Sequence, residues 1–332
     1  LVGSEMCIRD RYRAGHRCQR ELMRGYNRAV GVSDFLNLGK PSMNTKNRIA
    51  GPDPDTHIPR FRMPPDACDA HCHIFGPAGV FPFAPNASYI PPDAPFEALQ
   101  QLHAKLGISR AVIVHASCHG PDMRVTLDAI ARSKGRYRGT AIIDESYTDQ
   151  DFERMHAGGI RAVRFNFVQH LGGRPDMDFF QRTVQRLKAF GWHLVLHLDA
   201  TDIVEFEDMF RKIPVPMVID HMGRVRAADG LDQQPFRVLM DFMRNDNVWV
   251  KVCGPERVSS LGPPFTDAVP FARALIQAAP DRILWGTDWP HPNVGKHMPN
   301  DGDLVDMIPL IAPDAATQQK ILVDNPARLY GF

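Results

Sequence analysis

Eight short apolar segments alternate with longer amphipathic segments, and this alternation most constrains the fold. The apolar segments predict strands at residues 67–74, 109–117, 137–143, 160–167, 193–199, 215–221, 247–253 and 282–288. The helix-like segments span residues 95–106, 121–134, 149–157, 176–190, 201–212, 234–245, 267–278 and 301–323. Such alternation predicts a parallel sheet covered by helices, and continuous apolar runs are typical of strands buried on both faces.

Eight strand–helix units predict an α/β fold, a single-domain (β/α)8 TIM barrel, over residues 61–332. An open doubly wound sheet is the alternative. No GxGxxG or P-loop sequence opens a predicted helix, so no nucleotide-binding motif favours that alternative. In a (β/α)8 barrel the active site lies at the carboxyl ends of the strands, so reactive side chains are expected there.

At seven of the predicted strands, histidine, arginine, serine or acidic residues at or shortly after the carboxyl end are candidate site residues. These residues are His71, His73, His115, Ser117, Arg164, His197, Asp220, His221, Arg224, Glu256, Arg257, Asp288 and His291. His71 and His73 are two positions apart on one strand, so their side chains face the same side. Two converging imidazoles indicate a metal ion or a reacting group. We expect His103, His119 and His156 at the surface.

Residues 1–60 differ in composition from the rest of the chain. Residues 1–50 contain ten Lys or Arg and four Asp or Glu, and they lack the apolar core of a secretory signal. We expect a basic N-terminal arm that is disordered or partly artefactual, with Met43 as a native start. We assign it no function.

The whole-chain composition narrows the function classes. Of the 332 residues 44% are hydrophobic, which is enough for a large core, and the net charge is +1. Neither value suggests a nucleic-acid partner, and no apolar run reaches the length of a membrane span. The six cysteines form no CxxC pair, which favours reduced thiols. We therefore expect a cytoplasmic protein, a monomer or small homo-oligomer, with no nucleic-acid or membrane partner.

Five residues resemble the amidohydrolase superfamily in their order and strand position. They are the histidine pair at 71 and 73, His197, His221, and Asp288 in the sequence WGTDWPHP. The resemblance covers residues 66–332. The sequences DAHCHIFGP, VRFNF, DHMGR and GTDWPHPN are similar to its branch of lactonases for 2-pyrone-4,6-dicarboxylate and sugar acids. The resemblance implies a hydrolase that opens a carboxylate-bearing lactone, with 2-pyrone-4,6-dicarboxylate from aromatic-acid catabolism as the first expectation.

The resemblance also implies a role for each matching residue. Asp288 is expected to be the general base that activates water, while His71, His73 and His221 polarise the lactone carbonyl. The expected substrate-binding residues are Arg164, Arg224, Arg257, Ser117, Tyr89, His170, His197 and His291. Lactone hydrolysis does need a base and positive charge at the carbonyl oxygen, and arginine binds carboxylates with two parallel hydrogen bonds.

Two positions depart from the pattern. His197 replaces an expected tyrosine, and with His71, His73 and Asp288 it makes a donor set suited to one Zn²⁺. The branch requires no cofactor, so we expect either none or one zinc ion. His170 replaces an expected arginine, for which Arg174 is a candidate substitute. The alternatives are therefore a sugar-acid or muconate-type lactonase, a zinc-dependent decarboxylase of the same superfamily, or, least favoured, a non-catalytic binding protein.

Overall fold

Eight parallel strands form the centre of residues 48–332, the part of the chain that this computed structural model describes. The strands are β1 (Cys68–Cys72), β2 (Arg110–Val114), β3 (Tyr137–Ala141), β4 (Ile160–Asn166), β5 (His193–His197), β6 (Met217–Ile219), β7 (Val248–Lys251) and β8 (Ile283–Leu284). Each strand pairs with the next along the chain. Their apolar side chains are buried, as expected for strands between a filled barrel interior and a layer of helices.

Backbone hydrogen bonds between β1 and the segment after β8 complete the ring of strands. The Ala70 N–H donates to the Trp285 carbonyl oxygen at 2.9 Å, and the His73 N–H donates to that of Trp289 at 2.7 Å. The Asp288 N–H returns a bond of 2.7 Å to the His71 carbonyl oxygen. The predicted (β/α)8 barrel is thus confirmed, and its closure brings His71 and Asp288 side by side.

The helices follow the strands in the predicted order. Their bounds are Phe96–Leu106, Arg124–Arg132, Asp149–Ala157, Met177–Phe190, Ala200–Glu205, Glu207–Phe210, Gln234–Phe242, Pro255–Val258, Val269–Ala278, Asp301–Asp306, Ile308–Ile311, Ala315–Gln319 and Asn325–Tyr330, with a π-helix at Lys320–Asp324. The helix-like segment predicted over 301–323 is present, but as several short helices rather than a continuous one. Pro309 and Pro313 interrupt it, because proline lacks an N–H and its ring clashes with the preceding turn. No helix within residues 48–332 is long and apolar enough to cross a membrane.

Residues 48–60 contact the barrel. The Ile49 N–H donates to the Ile90 carbonyl oxygen at 3.1 Å, and Lys105 Nζ donates to the Thr56 carbonyl oxygen at 2.6 Å. The rest of the predicted arm, residues 1–47, lies outside the described residues, so the boundary at residue 60 stays a prediction.

Asp69 ties β1 to the segment after β8, directly beneath the closure. Its Oδ1 accepts hydrogen bonds from the Thr287 and His71 N–H groups, both at 3.0 Å. Its Oδ2 accepts one from Thr287 Oγ1 at 2.6 Å, and His103 Nε2 lies 3.2 Å away. These bonds satisfy a buried carboxylate and fix the backbone that carries His71.

Two of the histidines expected at the surface are buried. His103 lies on the inner face of its helix, between Asp69 and Tyr137. His119 is buried with its Nδ1 3.2 Å from the Pro82 carbonyl oxygen. The surface prediction is wrong for both, because each imidazole finds polar partners inside the fold. His156 is exposed, as predicted.

Candidate active site

Asp288 lies at the centre of a cluster of histidines just beyond β8. Its Oδ1 is 3.2 Å from His73 Nε2, 3.3 Å from His71 Nε2 and 3.9 Å from His221 Nε2. The Asp288 side chain is only 1% exposed. Three of the strand ends that the sequence singled out therefore meet at one carboxylate oxygen.

Left-handed backbone directs two of these side chains inward. Asp288 has a φ of 64°, and His221, directly after β6, has a φ of 51°. Non-glycine residues adopt this region at a cost of about 1–3 kcal/mol, and such strain clusters at functional sites. Gly286 permits the close approach of the two segments, because a Cβ added there would lie 2.5 Å from the His71 backbone nitrogen.

A backbone contact orients His73. The Val114 carbonyl oxygen, 2.7 Å from His73 Nδ1, can only accept, so Nδ1 carries a hydrogen. The other nitrogen, Nε2, faces the Asp288 carboxylate at 3.2 Å. That approach is favourable when a cation, either a proton on Nε2 or a metal ion, lies between the two atoms.

A buried ion network lies behind His71. Asp220 accepts a hydrogen bond from Arg164 Nε at 2.8 Å through Oδ2, while its Oδ1 is 3.1 Å from Lys251 Nζ and 3.4 Å from His71 Nδ1. Lys251 Nζ is also 3.3 Å from His71 Nδ1. Ile219 pairs with Val250 in the register of β6 and β7, so the next residues, Asp220 and Lys251, lie side by side. Arg164 therefore has an internal partner, which explains how β4 carries a buried guanidinium.

The contacts in this network determine whether Asp220, Lys251 and His71 are charged. Burial would raise the pKa of Asp220, but Lys251, His71 and Arg164 outweigh it and hold that pKa well below its usual range. Burial would likewise lower the pKa of Lys251, and Asp220 reverses the shift. Burial, with the Lys251 charge, lowers the pKa of His71 to about 4. His71 is therefore a neutral imidazole between two charged carboxylates.

The Arg257 side chain is mostly buried and binds Asp288. Its Nε and Nη2 both donate to Asp288 Oδ2, Nε at 2.8 Å, and Nη2 also donates to the Pro292 carbonyl oxygen at 3.0 Å. Burial alone would raise the pKa of Asp288, but Arg257 and the histidines hold it well below its usual range. Asp288 is thus ionised at neutral pH, as a general base requires.

The ends of β4, β5 and β6 bring His197, Asn166 and Arg224 together. His197 Nδ1 is 3.0 Å from Asn166 Oδ1, its paired residue in the β4–β5 register, and Nε2 is 3.4 Å from Arg224 Nη1. Arg224 Nε is 3.2 Å from Asp199 Oδ1. Burial and the Arg164 charge hold the pKa of His197 well below its usual range. Both ring nitrogens of His197 have partners, and it lies outside the group of donors around Asp288.

The remaining residues that were predicted to bind substrate differ in how deeply their side chains are buried. Tyr89 is buried against Phe75 with Ser117 near its hydroxyl, and burial raises the pKa of Tyr89. His170 is largely exposed, and the loss of some hydration, together with the nearby Arg224 and Arg257 charges, lowers the pKa of its imidazole.

His291 is buried, with Nε2 3.1 Å from Asp301 Oδ1. Burial would lower the pKa of His291, but the Asp301 carboxylate outweighs it and raises that pKa. Neighbouring Glu256 is a buried side chain whose pKa is raised by burial.

Arg174, the suggested substitute for a missing arginine, is half exposed. It pairs with Glu205 on the surface, and its guanidinium lies 4.4 Å from the Phe206 ring centroid. Arg174 therefore already has partners outside the histidine cluster.

Sequence reasoning missed Lys251 and Asp301. Lys251 is the only charged residue in the predicted strand at 247–253, and that isolation was the available signal. Asp301 opens a predicted helix, where an acidic residue is ordinary, so its sequence position gave no such signal.

One group of donors could hold a metal ion at this centre. His71, His73 and Asp288 present ligand atoms within 4.8 Å of one another, and Glu256 and His291 form a second group with the same Asp288. Imidazole and carboxylate donors suit a divalent ion. Two cations already flank the first group, Lys251 at His71 and Arg257 at Asp288. Their charges repel a metal ion placed between these residues, so the fit of the residues to a metal is poor.

Comparison with known proteins places the chain in a family. An amidohydrolase family model matches residues 68–332. The 2-pyrone-4,6-dicarboxylate hydrolase of Comamonas testosteroni is 47% identical over 281 residues, which cover 82% of this chain and 92% of that protein. The 4-sulfomuconolactone hydrolase of Hydrogenophaga intermedia is 40% identical over 297 residues, 89% of this chain and 98% of that protein.

A solved structure agrees with the observed fold. A ligand-free crystal structure of an Agrobacterium tumefaciens protein, 27% identical, superposes with a TM-score of 0.73 over 82% of this chain and 98% of that chain. Together with the family match and the identities above, this likeness means that the chain belongs to the amidohydrolase family.

Proposed function

We propose that this chain is a hydrolase that opens a carboxylate-bearing lactone, with 2-pyrone-4,6-dicarboxylate as the first candidate substrate. One observation carries the proposal: an ionised Asp288 lies beside three histidine Nε2 atoms, with arginines near the same strand ends. The names of two relatives, both lactone hydrolases at 40% identity or more, support it.

The chemistry follows from the proposed roles. Asp288 takes a proton from water, and the resulting hydroxide adds to the lactone carbonyl carbon. The carbonyl electron pair moves to its oxygen, which imidazole N–H groups stabilise. When the tetrahedral intermediate collapses, the ring C–O bond breaks, and the leaving ring oxygen takes the proton from Asp288. The products are an enol or alcohol at the former ring oxygen and a new carboxylic acid, which releases its proton to solvent and becomes a carboxylate.

The arginines support an anionic substrate. Among the described residues none accepts a hydrogen bond from Nη1 or Nη2 of Arg164, and none from Nη1 of Arg257. These nitrogens can bind a substrate carboxylate while the other atoms of each guanidinium stay on Asp220 and Asp288. Arg257 would then share its charge between the base and the substrate. Arg224, Tyr89, Ser117, His170, His197 and His291 are proposed as the remaining substrate contacts.

A muconate-type lactone is the nearer alternative, since a relative at 40% identity is named for 4-sulfomuconolactone. A sugar-acid lactone is the other candidate of this class. Each keeps the same base and the same carbonyl contacts. They differ in the anionic group that the arginines bind.

A zinc-dependent decarboxylase is the second candidate function. The grouping of His71, His73 and Asp288 favours it, and the charges of Lys251 and Arg257 beside that group count against it.

The expectations of a cytoplasmic location and of a monomer or small homo-oligomer stay predictions.

Turnover of three lactones tests the proposal. Loss of 2-pyrone-4,6-dicarboxylate, a muconolactone and a sugar-acid lactone is followed by absorbance or by acid release, with and without chelator, while metal content is measured. Hydrolysis adds one solvent oxygen to the product carboxylate, detected by mass spectrometry in H₂¹⁸O. We expect hydrolysis of at least one anionic lactone that persists after chelation. Release of CO₂ that requires zinc would instead support the decarboxylase.

A further inference from the structure

Lys251 is a buried cation for which the reaction described above has no use. It ends β7 inside the barrel, and its side chain is 0% exposed. Its ammonium group lies 3.1 Å from Asp220 Oδ1 and 3.3 Å from His71 Nδ1. A charged lysine in this position needs such partners, because burial without them is very costly. It therefore directly contacts a proposed catalytic imidazole on the side away from Asp288.

The partner of one imidazole nitrogen decides which nitrogen of a neutral histidine carries the hydrogen. His71 Nδ1 has two neighbours of opposite kind, since an ammonium group only donates and a carboxylate only accepts. The contact with Lys251 has hydrogen-bond geometry. Asp220 Oδ1 lies 3.4 Å from Nδ1 and is itself paired with the Lys251 ammonium group at 3.1 Å. Because an ammonium group cannot accept, the Lys251 contact requires Nδ1 as the acceptor, with the hydrogen on Nε2.

We propose that Lys251 is a positioning residue that holds His71 as its Nε2–H tautomer, so that Nε2–H can donate to the lactone carbonyl oxygen. His71 Nε2 is buried, and although Asp288 Oδ1 lies 3.3 Å away, the two atoms do not meet in hydrogen-bond geometry, so this donor is available to the substrate. The identity of that acceptor rests on the proposed function. The tautomer itself follows from contacts within the chain.

Asp220 and Arg164 keep Lys251 in place. Asp220 contacts Lys251 with one carboxylate oxygen and Arg164 with the other, so two cations balance one buried carboxylate. The extra positive charge lies toward His71. It adds to the positive potential at the proposed carbonyl position, where the intermediate becomes negative.

The tautomer of His71 can be measured directly by NMR spectroscopy. Full-length protein labelled with ¹⁵N-histidine is examined by long-range ¹H–¹⁵N correlation spectra at neutral pH, and the His71 signals are assigned by their loss in His71→Gln. We expect the Nε2–H pattern for His71 in the wild-type protein. In Lys251→Met we expect the Nδ1–H pattern or a mixture, because Asp220 is then the remaining neighbour of Nδ1. A wild-type Nδ1–H pattern, or an unchanged pattern in Lys251→Met, would overturn the proposal.

Kinetics supply a second readout. Loss of a preorganised donor to an oxyanion lowers kcat by about 10²- to 10³-fold. We expect Lys251→Met to lower kcat on the lactone by at least about 10²-fold while KM changes little. Tyr330→Phe is the matched control, since it removes a buried hydroxyl near Lys251 but leaves the contact with His71.

The two proposals fail separately. If the wild-type protein hydrolyses no lactone while His71 shows the Nε2–H pattern, the proposed function is wrong and the role of Lys251 in the tautomer stands. If lactone turnover occurs and kcat of Lys251→Met is unchanged, the positioning role is wrong. Should Lys251→Met not fold, the wild-type spectrum alone still decides the tautomer.

Discussion

Arg257 binds Asp288 through two nitrogens of its guanidinium group, both directed at Oδ2. The other oxygen, Oδ1, is left to face the histidines. One carboxylate is thus held on one side by a cation and on the other by imidazoles. This arrangement orients the proposed base and lowers its proton affinity at the same time.

Removal of Arg257 should move the acid limb of the pH profile. The pKa of Asp288 is depressed largely by Arg257, and the reaction needs ionised Asp288. In Arg257→Met that pKa rises, so activity is lost at a higher pH as the solution is acidified. The measurement is kcat/KM against pH on an anionic lactone. Arg182→Met, which removes an exposed arginine paired with Glu145, is the control. An unmoved acid limb in Arg257→Met would show that Asp288 does not limit the reaction.

Arg164 should distinguish charged from neutral substrates. A hydrogen bond to a charged group contributes about 1.5–3 kcal/mol, so Arg164→Met should raise KM for an anionic lactone by about 10- to 100-fold. KM for a neutral lactone should change far less. Steady-state kinetics on both substrates make the comparison, with thermal melts to confirm that the variant is folded. Arg132→Met, at an exposed pair with Glu97, serves as the control. Equal effects on both lactones would remove Arg164 from the substrate contacts.

Thr287 should contribute to stability at the barrel closure. Its hydroxyl donates to Asp69 Oδ2 at 2.6 Å in a buried position. Thr287→Val removes this bond and the one that the Trp289 N–H donates to the same hydroxyl at 3.0 Å, and should cost about 1–3 kcal/mol in the free energy of unfolding. Thr183→Val is a matched control, because its hydroxyl is also buried but has no hydrogen-bond partner among the described residues. Denaturant unfolding of both variants gives the values. Equal losses would mean that the hydrogen bond to Asp69 contributes nothing.

The barrel and most of the site were predictable for a simple physical reason. A strand buried on both faces is a continuous apolar run, and His71, Arg164, His197 and Asp288 follow such runs directly. The predicted strands extend past the observed ones at β6 and β8. There the chain turns into left-handed backbone at His221 and Asp288, which residue type does not reveal.

The pairing of charges could not be predicted in the same way. Asp220 and Lys251 are 31 residues apart, and only the register of β6 and β7 brings them together. The substrate contact predicted for Arg257 stays a proposal, and its ion pair with Asp288 was not predicted. A sequence shows which ionisable residues lie at strand ends but not which of them face one another. His103 differs, since its spacing from Leu99 and Leu106 on one helix face was a usable sign of burial.

The most direct test of the account is the kcat of Asp288→Asn on the lactone that the wild-type protein turns over fastest. The variant keeps the size of the side chain but loses the base, so kcat should fall by about 10²- to 10⁴-fold. Asp281→Asn, an exposed carboxylate paired with Lys320, should keep wild-type kcat. Wild-type kcat in Asp288→Asn would contradict the account, because the carboxylate beside the three histidines would then not be the base.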